Sequence, residues 1–126
     1  MRFFFVMQHV PTAEQLAEAG GVGEVVQLTD KKLLLVPDES ALGREFFLNR
    51  AEQIEAALGG FNLGDTVHVM GQQQLAMAVT ARARRAGCLI VESVTPRISK
   101  EVPQPDGTVK KENIFLFSGF RTVYEY

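Results

Sequence analysis

The sequence is poor in the residues that hold metal ions or form disulfides. Among its 126 residues it has one cysteine, Cys88, and two histidines, His9 and His68. A closed structural zinc site takes four cysteine or histidine ligands, so the composition excludes such a site, and a lone cysteine excludes an internal disulfide. A chain of this length is nevertheless able to fold around one modest hydrophobic core.

The sequence also lacks a long hydrophobic run. Its longest apolar stretch, Phe3 to Met7, is far shorter than the roughly 18 residues of a membrane-spanning helix and too short for a signal peptide. With 46% apolar and 22% charged residues, the composition is typical of one globular domain, residues 1–126. We therefore expect a cytoplasmic protein with no membrane partner.

The standard nucleotide-binding fingerprints are missing as well. Gly21-Val22-Gly23 has no third glycine at the required spacing, and no Gly-Lys-Ser or Gly-Lys-Thr occurs. These absences disfavour a dinucleotide-binding or P-loop protein.

Charge is distributed unevenly along the chain. Residues 1–79 carry five Lys or Arg against ten Asp or Glu, whereas residues 80–126 carry eight against five. This asymmetry favours a local polyanion site in the last third of an otherwise acidic protein. Solvated basic residues at strand and helix ends are the alternative explanation.

The apolar pattern predicts strands that alternate with helices and then a hairpin. Thr12 and Gln15 have the spacing of a capping box for the first helix, and Asp38 or Ser40 is expected to cap the second. The expected elements are a strand 2–10, a helix 12–20, a strand 24–28, an apolar segment 33–36 that either continues that strand or stands alone, a helix from about 40 to 58, a strand 65–71, a helix 72–86, a strand 88–95, and a hairpin of 97–104 and 108–117.

This order predicts an α/β fold: a small Rossmann-like, mainly parallel sheet with helices on both faces and a C-terminal β-hairpin that extends or overhangs it. We expect the aromatic tail after the hairpin to be ordered. Such sheets bind ligands beyond the carboxyl ends of their strands, where the strand order reverses. The site is therefore expected around Gln8 and His9, Thr29 and Asp30, the turn at Gly71, and Thr95 to Arg97.

The turn Gly71-Gln72-Gln73 joins a predicted strand to a predicted helix. Backbone amides at a helix start attract anions, and the two glutamine side chains offer hydrogen bonds to phosphate, sugar or base. In the alternative interpretation Gly71 only makes the turn and the glutamines are solvated.

Arg97 follows the end of a predicted strand and is the basic residue best placed to bind phosphate, because a guanidinium matches phosphate geometry. Lys100 and Arg121 extend the same basic surface. The other basic residues of this region are expected on an exposed hairpin edge or at a helix carboxyl end, without a ligand: Lys110, Lys111, Arg82, Arg84 and Arg85.

The two histidines differ in position. His9 ends the first strand, where contact with a ligand and a capping or core role are both open. His68 alternates with valines inside a central strand, so we expect a core histidine whose ring is fully hydrogen-bonded. Cys88 opens a strand at the opposite end and is expected in the core.

Several short motifs together resemble a known protein family. They are the opening strand with Pro11 to Gln15, the segment Gly64 to Gly71, the helix that ends at Gly87, Val91 to Arg97, Asp106 to Val109, and Phe115 to Arg121 with terminal tyrosines. This layout is similar to that of the small single-domain CRISPR-associated proteins of type III systems. Those proteins are related to the CRISPR-associated Rossmann-fold (CARF) sensors, and several are ring nucleases for cyclic oligoadenylates.

The resemblance implies a CARF-like domain and a ring nuclease that binds a cyclic oligoadenylate, most simply cyclic tetra-adenylate, as a homodimer. Cleavage would need no metal or cofactor, because each ribose 2′-hydroxyl is able to attack its own phosphodiester. Arg97 and the Gly71 turn would hold the phosphate, Thr95 would orient it, and His9 would act as general acid or base. The residues expected to bind the ring are Gln8, Gly71, Gln72, Gln73, Lys100 and Arg121.

Gln72, Gln73 and Phe117 depart from the family pattern, which has an acidic and an aromatic residue after the glycine and a basic or imidazole residue before the closing Phe-Arg. Two other functions therefore stay open. One is a sensor or sponge that binds the ring without cleaving it. The other is a dimerising structural protein whose basic tail contacts RNA or another subunit.

Overall fold

Strands and helices alternate along the first three quarters of the chain. The computed structural model describes all 126 residues. Its elements are β1 Arg2–Val6, α1 Ala13–Val22, β2 Glu24–Gln27, a short 3-10 helix Lys31–Leu34, α2 Arg44–Ala57, β3 Thr66–Val69, α3 Gln73–Arg85, β4 Leu89–Val94, β5 Arg97–Pro103, β6 Val109–Phe115 and β7 Gly119–Thr122. None of the helices is long and apolar enough to cross a membrane.

The main sheet has five strands in the order β2-β1-β3-β4-β7. The first four are parallel, with Phe4 opposite both Val26 and Val67, and β7 runs antiparallel to β4. The chain leaves β1 towards β2 at one edge and returns on the other side of β1 to form β3. The strand order thus reverses between β1 and β3, the point at which wound sheets bind ligands.

Both faces of the sheet are covered. Phe3, Phe5 and Met7 pack with Ala19 of α1 on one face. The alternating residues Phe4 and Val6 pack on the other face, into a larger core shared with α2 and α3. All five side chains from Phe3 to Met7 are at most 1% exposed, and burying an apolar side chain of this size contributes about 1.5–3 kcal/mol. The continuous apolar run is the expected signature of a strand buried on both sides.

The amino end of the sheet is fixed by a buried carboxylate. Asp65 is 3% exposed. It accepts hydrogen bonds from the amides of Arg2 and Asn62, both at 2.9 Å, and from the Arg2 guanidinium at 3.2 Å. These contacts join the starts of β1 and β3.

The C-terminal part forms a hairpin and then returns to the sheet. Strands β5 and β6 pair with each other in a separate two-stranded sheet, from Arg97 opposite Phe115 to Pro103 opposite Val109. The hairpin therefore overhangs the main sheet and does not extend it. The tail is ordered as β7, which lies beside β4.

The predicted α/β class, the mainly parallel sheet, the helices on both faces and the C-terminal hairpin are all confirmed. The first strand is shorter than predicted, because β1 ends at Val6 and residues 7–9 form a bend that leads to α1. The predicted helix stop at Gly20-Gly21 is also wrong, since α1 continues to Val22.

The predicted cap of the second helix is a further error. Neither Asp38 nor Ser40 caps α2, because the chain first turns, with the Leu42 amide donating to the Glu39 carbonyl at 3.2 Å. The helix begins only at Arg44, after Gly43, and has no side-chain cap. The apolar segment 33–36 does not continue β2, since a 3-10 helix capped by Asp30 occupies residues 31–34.

Candidate functional site

A polar cleft of about 450 Å³ lies at the carboxyl ends of the central strands. This volume falls within the roughly 300–1,000 Å³ range of small-molecule sites. The residues after β1, the end of β4 and the start of α1 all contribute to it. Its lining residues are His9, Val10, Thr12, Gln15, His68, Met70, Glu92, Ser93 and Thr95.

A chain of hydrogen bonds runs from the start of α1 to the floor of this cleft. The predicted capping box is present. The backbone amide of Gln15 donates to Thr12 Oγ1 at 3.2 Å, and the backbone amide of Thr12 donates to Gln15 Oε1 at 2.9 Å. Gln15 Nε2 donates to Ser93 Oγ at 3.0 Å, and Ser93 Oγ lies 2.7 Å from Nε2 of His68. The capping box thus places the Gln15 side chain against Ser93.

His68 is fully buried and lies among aromatic rings. Its ring centroid is 5.5 Å from that of Phe5 and 5.7 Å from that of Phe120. Burial lowers the pKa of His68 below its ordinary value of 6.5, and the opposing pull of its own backbone carbonyl and of the Glu92 carboxylate does not offset this effect. His68 is therefore neutral at physiological pH.

The expectation of a fully hydrogen-bonded His68 ring is only half right. The histidine is in the core, but Nδ1 is buried without a hydrogen-bond partner. Most buried polar atoms are paired, so an unpaired imidazole nitrogen beside a polar cleft marks this position as unusual.

One of the predicted basic ligands is already in an ion pair at the edge of this region. Arg121 in β7 donates through Nη2 to Glu92 Oε1 in β4 at 2.6 Å, and both side chains are well exposed. The hydrogen bond and the negative charge of Glu92 raise the pKa of Arg121. Since Glu92 also lines the cleft, the pair stands at its rim.

The structure brings together two of the predicted catalytic residues. His9 and Thr95 both line the polar cleft, and both are solvent-exposed. Arg97, two residues beyond Thr95, is exposed at the start of β5, does not line the cleft and forms no ion pair. Lys100 lies further along the same strand, opposite Glu112.

The predicted Gly71 turn does not line the cleft, but its preceding residue, Met70, does. Gly71 has a φ of 145°, in the region that favours glycine, and open space surrounds it. Gln72 is the N-cap of α3, where its Oε1 accepts a hydrogen bond from the Leu75 amide at 2.9 Å. Gln73 is the first residue of α3 and lines a different groove, beside the C-terminal tail.

Gln8 is exposed, and its Nε2 donates to the carbonyl of Lys31 at 3.3 Å. This hydrogen bond ties the loop after β1 to the 3-10 helix. The side chain therefore has a structural partner on the side of β1 that faces β2.

Two of the basic residues expected to have no ligand have structural partners. Arg82 forms an ion pair with Glu55 of α2, and Arg84 donates to the Val123 carbonyl at 2.8 Å. Cys88 is buried in the larger core, as predicted. Burial, together with the negative charges of Asp65 and Glu55, raises the pKa of the Cys88 thiol to about 11.

Sequence reasoning missed the floor of the cleft. The sequence patterns do not mark Ser93, and they give Gln15 only a capping role and His68 only a core role. The sequence shows the capping box, but the contact of the Gln15 side chain with Ser93 depends on how the start of α1 lies against β4. No local pattern reports such a long-range contact.

Two other surface depressions flank α3. A groove of about 260 Å³ lies between α2 and α3, and a shallower one of about 760 Å³ lies between α3 and the C-terminal tail. No group of three or more His, Cys, Asp or Glu side chains is placed to hold a metal ion.

Fold and site together define a small doubly wound α/β protein with one polar cleft at its strand ends. A family model described as the Uncharacterized protein MJ1673 family matches residues 1–121, and the chain belongs to that family. No curated protein and no solved structure matches the chain.

Proposed function

We propose that this protein is a ring nuclease that binds a cyclic oligoadenylate, most simply cyclic tetra-adenylate, and cleaves it by attack of a ribose 2′-hydroxyl, in the cytoplasm and as part of type III CRISPR defence. The observation that carries the proposal is the shared cleft of His9 and Thr95 at the carboxyl ends of the sheet. This place in the fold is the one where wound sheets bind nucleotides.

The lining of the cleft supports a nucleotide ligand. Hydroxyl, amide and imidazole groups from Thr12, Ser93, Thr95, Gln15 and His9 offer both donors and acceptors for ribose hydroxyls and phosphate oxygens. A single cleft of about 450 Å³ is suited to part of a cyclic oligoadenylate and leaves the remainder of the ring outside. The size therefore favours two copies of the site acting on one ring.

A two-fold homodimer meets this requirement. A cyclic tetra-adenylate has rotational symmetry, and an isologous dimer presents two copies of one site to opposite halves of it. Dimerisation is accordingly part of the proposal.

The three predicted catalytic residues and the Gly71 turn each have a role in the proposed reaction. Thr95 orients the phosphodiester, and His9 transfers a proton as acid or base. Arg97 follows Thr95 by two residues and has no ion-pair partner, so its guanidinium is free for a phosphate. The amides at the Gly71 turn stabilise negative charge from the start of α3.

The attack itself requires only positioning and charge stabilisation. The ribose 2′-oxygen and the neighbouring phosphorus belong to the same molecule, so holding them in line lowers the barrier without a protein nucleophile. This chemistry needs no cofactor.

Binding without cleavage is the second candidate function. The residues that line the cleft include one carboxylate, Glu92, and no lysine or arginine, and Arg121 at the rim is engaged by that carboxylate. A sensor or sponge needs less stabilisation of negative charge than an enzyme does. If Arg97 does not reach the ligand, the lack of a basic residue in the cleft therefore favours binding without cleavage.

The decisive experiment compares wild-type protein with Arg97→Ala on labelled cyclic oligoadenylates of different ring size. Loss of one charge-assisted phosphate contact, worth about 1.5–3 kcal/mol, should lower turnover roughly 10- to 100-fold. Lys110→Ala is the matched control, since Lys110 is an exposed basic residue of the same hairpin, opposite Val102.

Product analysis and calorimetry together separate the alternatives. Linear or 2′,3′-cyclic phosphate products support the nuclease, and an intact ring bound with measurable heat supports the sponge. If the protein neither binds nor cleaves any ring, the proposed function is refuted.

A further inference from the structure

The floor of the cleft holds a serine–histidine pair that the roles assigned above do not use. Ser93 Oγ lies 2.7 Å from Nε2 of His68, within the range of a hydrogen bond between a hydroxyl and its base. Ser93 is half-buried and lines the cleft, whereas His68 is wholly buried behind it. A ligand in the cleft would therefore meet Ser93 first.

The orientation of Gln15 determines part of the hydrogen bonding of Ser93. Because Gln15 Oε1 accepts from the Thr12 amide, which is a donor only, the other end of the Gln15 side chain must be its NH₂ group. That group donates to Ser93 Oγ at 3.0 Å. One lone pair of Ser93 is thus occupied, and its single hydrogen is free to be donated to His68 Nε2.

The surroundings of His68 favour its neutral form. Phe5 of β1 and Phe120 of β7 pack against the ring, and Ser93 of β4 is its only hydrogen-bond partner. The charged group that acts on the ring is the Glu92 carboxylate of β4, itself paired with Arg121. In the tautomer that carries its proton on Nδ1, the neutral imidazole accepts through Nε2 and is a competent base, and the Glu92 charge favours the imidazolium once it forms.

We infer that Ser93 and His68 form the general-base relay of this site, taking the proton from the attacking ribose 2′-hydroxyl. This inference rests on the proposed function and deepens it. It also divides the proton transfers: the Ser93–His68 pair acts as base and His9 acts as acid.

The proposed step balances as follows. The 2′-hydroxyl gives its proton to Ser93 Oγ while Ser93 passes its own proton to His68 Nε2, and the 2′-oxygen forms a bond to phosphorus. The bond from phosphorus to the 5′-oxygen breaks, and His9 supplies a proton to that oxygen. The products are a 2′,3′-cyclic phosphate and a 5′-hydroxyl. Exchange of protons with water returns His68 and His9 to their starting states, so no other reactant is consumed.

Ser93 is the member of the pair that touches the substrate, and His68 acts through it. The test therefore uses Ser93→Ala, Ser93→Thr and His68→Gln, with Ser99→Ala as control. Ser99 is an exposed serine of β5 that bonds only Asn113, outside the cleft. Folding of each variant is checked by its thermal melting curve, and ring affinity is measured by calorimetry.

The variants should separate turnover from binding. General acid–base catalysis contributes about 10²- to 10⁴-fold to a rate, so Ser93→Ala should lower kcat by about 100-fold or more while the dissociation constant of cyclic tetra-adenylate stays within about threefold. Ser93→Thr keeps a hydroxyl and should recover much of the loss. Ser99→Ala should match wild type.

Two further readouts distinguish a relay from a merely structural role. On the acidic side of the pH profile, the kcat of wild type should fall as the pH drops through the lowered pKa of His68, below 6.5, and His68→Gln should remove that acidic limb. The double variant Ser93→Ala, His68→Gln should have about the same kcat as the slower of the two single variants, because the two groups act as one unit.

Each outcome has a definite meaning. If wild type cleaves the ring and Ser93→Ala cleaves it at a similar rate, the relay is wrong and the ring nuclease stands. If the losses of the two single variants multiply in the double variant, the pair does not act as a unit and the relay is wrong. If wild type neither binds nor cleaves any ring, the proposed function and the relay fail together.

Discussion

Replacing Asp65 with asparagine tests how the starts of β1 and β3 are held together. The Asp65 carboxylate accepts three hydrogen bonds, from the Arg2 amide, the Arg2 guanidinium and the Asn62 amide. Asparagine has the same shape, but one of its two ends is a donor. Whichever way the amide is turned, at least one of these N–H groups faces another donor.

The expected cost follows from these contacts. Leaving a buried donor unpaired costs about 1–3 kcal/mol, and removing one partner of a buried ion pair costs about 3–5 kcal/mol. The Arg2 side chain is 23% exposed, so water recovers part of the loss. We expect Asp65→Asn to lower the free energy of unfolding by about 2–4 kcal/mol at pH 7, which is a large part of the roughly 5–15 kcal/mol of a typical domain.

The pH dependence of this loss gives a second test. Burial by itself would raise the pKa of Asp65, but the hydrogen bonds from the Arg2 and Asn62 amides and the Arg2 guanidinium together hold it below its ordinary value of 3.8. A carboxyl group with a lower pKa in the folded state stabilises the protein fully above its unfolded pKa, and this contribution is lost as the pH falls through the folded pKa. The difference between wild type and Asp65→Asn should therefore shrink below pH 3.8.

Urea denaturation from pH 7 down to the acid limit of folding measures both quantities. The matched control is Asp106→Asn, in the exposed hairpin turn, where a single oxygen accepts both bonds from Thr108 and asparagine is able to replace it. A loss below about 1 kcal/mol for Asp65→Asn at pH 7, or an equal loss at pH 7 and at pH 3, would refute the reasoning.

Three further predictions concern the core and the Gly71 turn. The Cys88 thiol is buried and its pKa is raised to about 11. Native protein at pH 8 should therefore react with iodoacetamide far more slowly than urea-unfolded protein. Equal rates would contradict the burial of this thiol. Gly71→Ala should cost about 1–3 kcal/mol in urea denaturation from backbone strain alone, since φ is 145° and no atom lies near the new methyl group; an unchanged midpoint would show that the turn relaxes. Ile54→Ala should cost about 2–5 kcal/mol, since Ile54 is 0% exposed in the larger core, and thermal melting of this variant beside the exposed Leu63→Ala measures the difference.

The fold was predictable where the pattern of apolar residues is local. The five apolar residues from Phe3 to Met7 indicate a strand buried on both faces, and the strand–helix alternation indicates a wound sheet. Element ends were less predictable, because turns such as that at Glu39–Leu42 compete with the helix caps that the sequence also offers. The place of β7 depends on a contact between residues almost 30 positions apart, which no local pattern encodes.

The same distinction applies to the site. The rule that ligands bind beyond the carboxyl ends of the strands led to His9 and Thr95, which do share a cleft. Ser93 and His68 lie on strands of ordinary β composition, so their pairing becomes visible only when β3 and β4 are placed side by side. Gln72 shows the opposite case, in which a residue suited to a ligand caps a helix instead.

The hairpin of β5 and β6 leaves and re-enters the sheet at neighbouring points. The Ser118 amide donates to the Val94 carbonyl at 2.8 Å, and Gly119 lies opposite Val94. The whole excursion is thus closed at its base by the same strand pair that completes the sheet. Insertions or deletions in the outer part of this arm therefore leave the sheet intact, and variation in length among relatives should concentrate between residues 101 and 111, beyond Arg97 and Lys100.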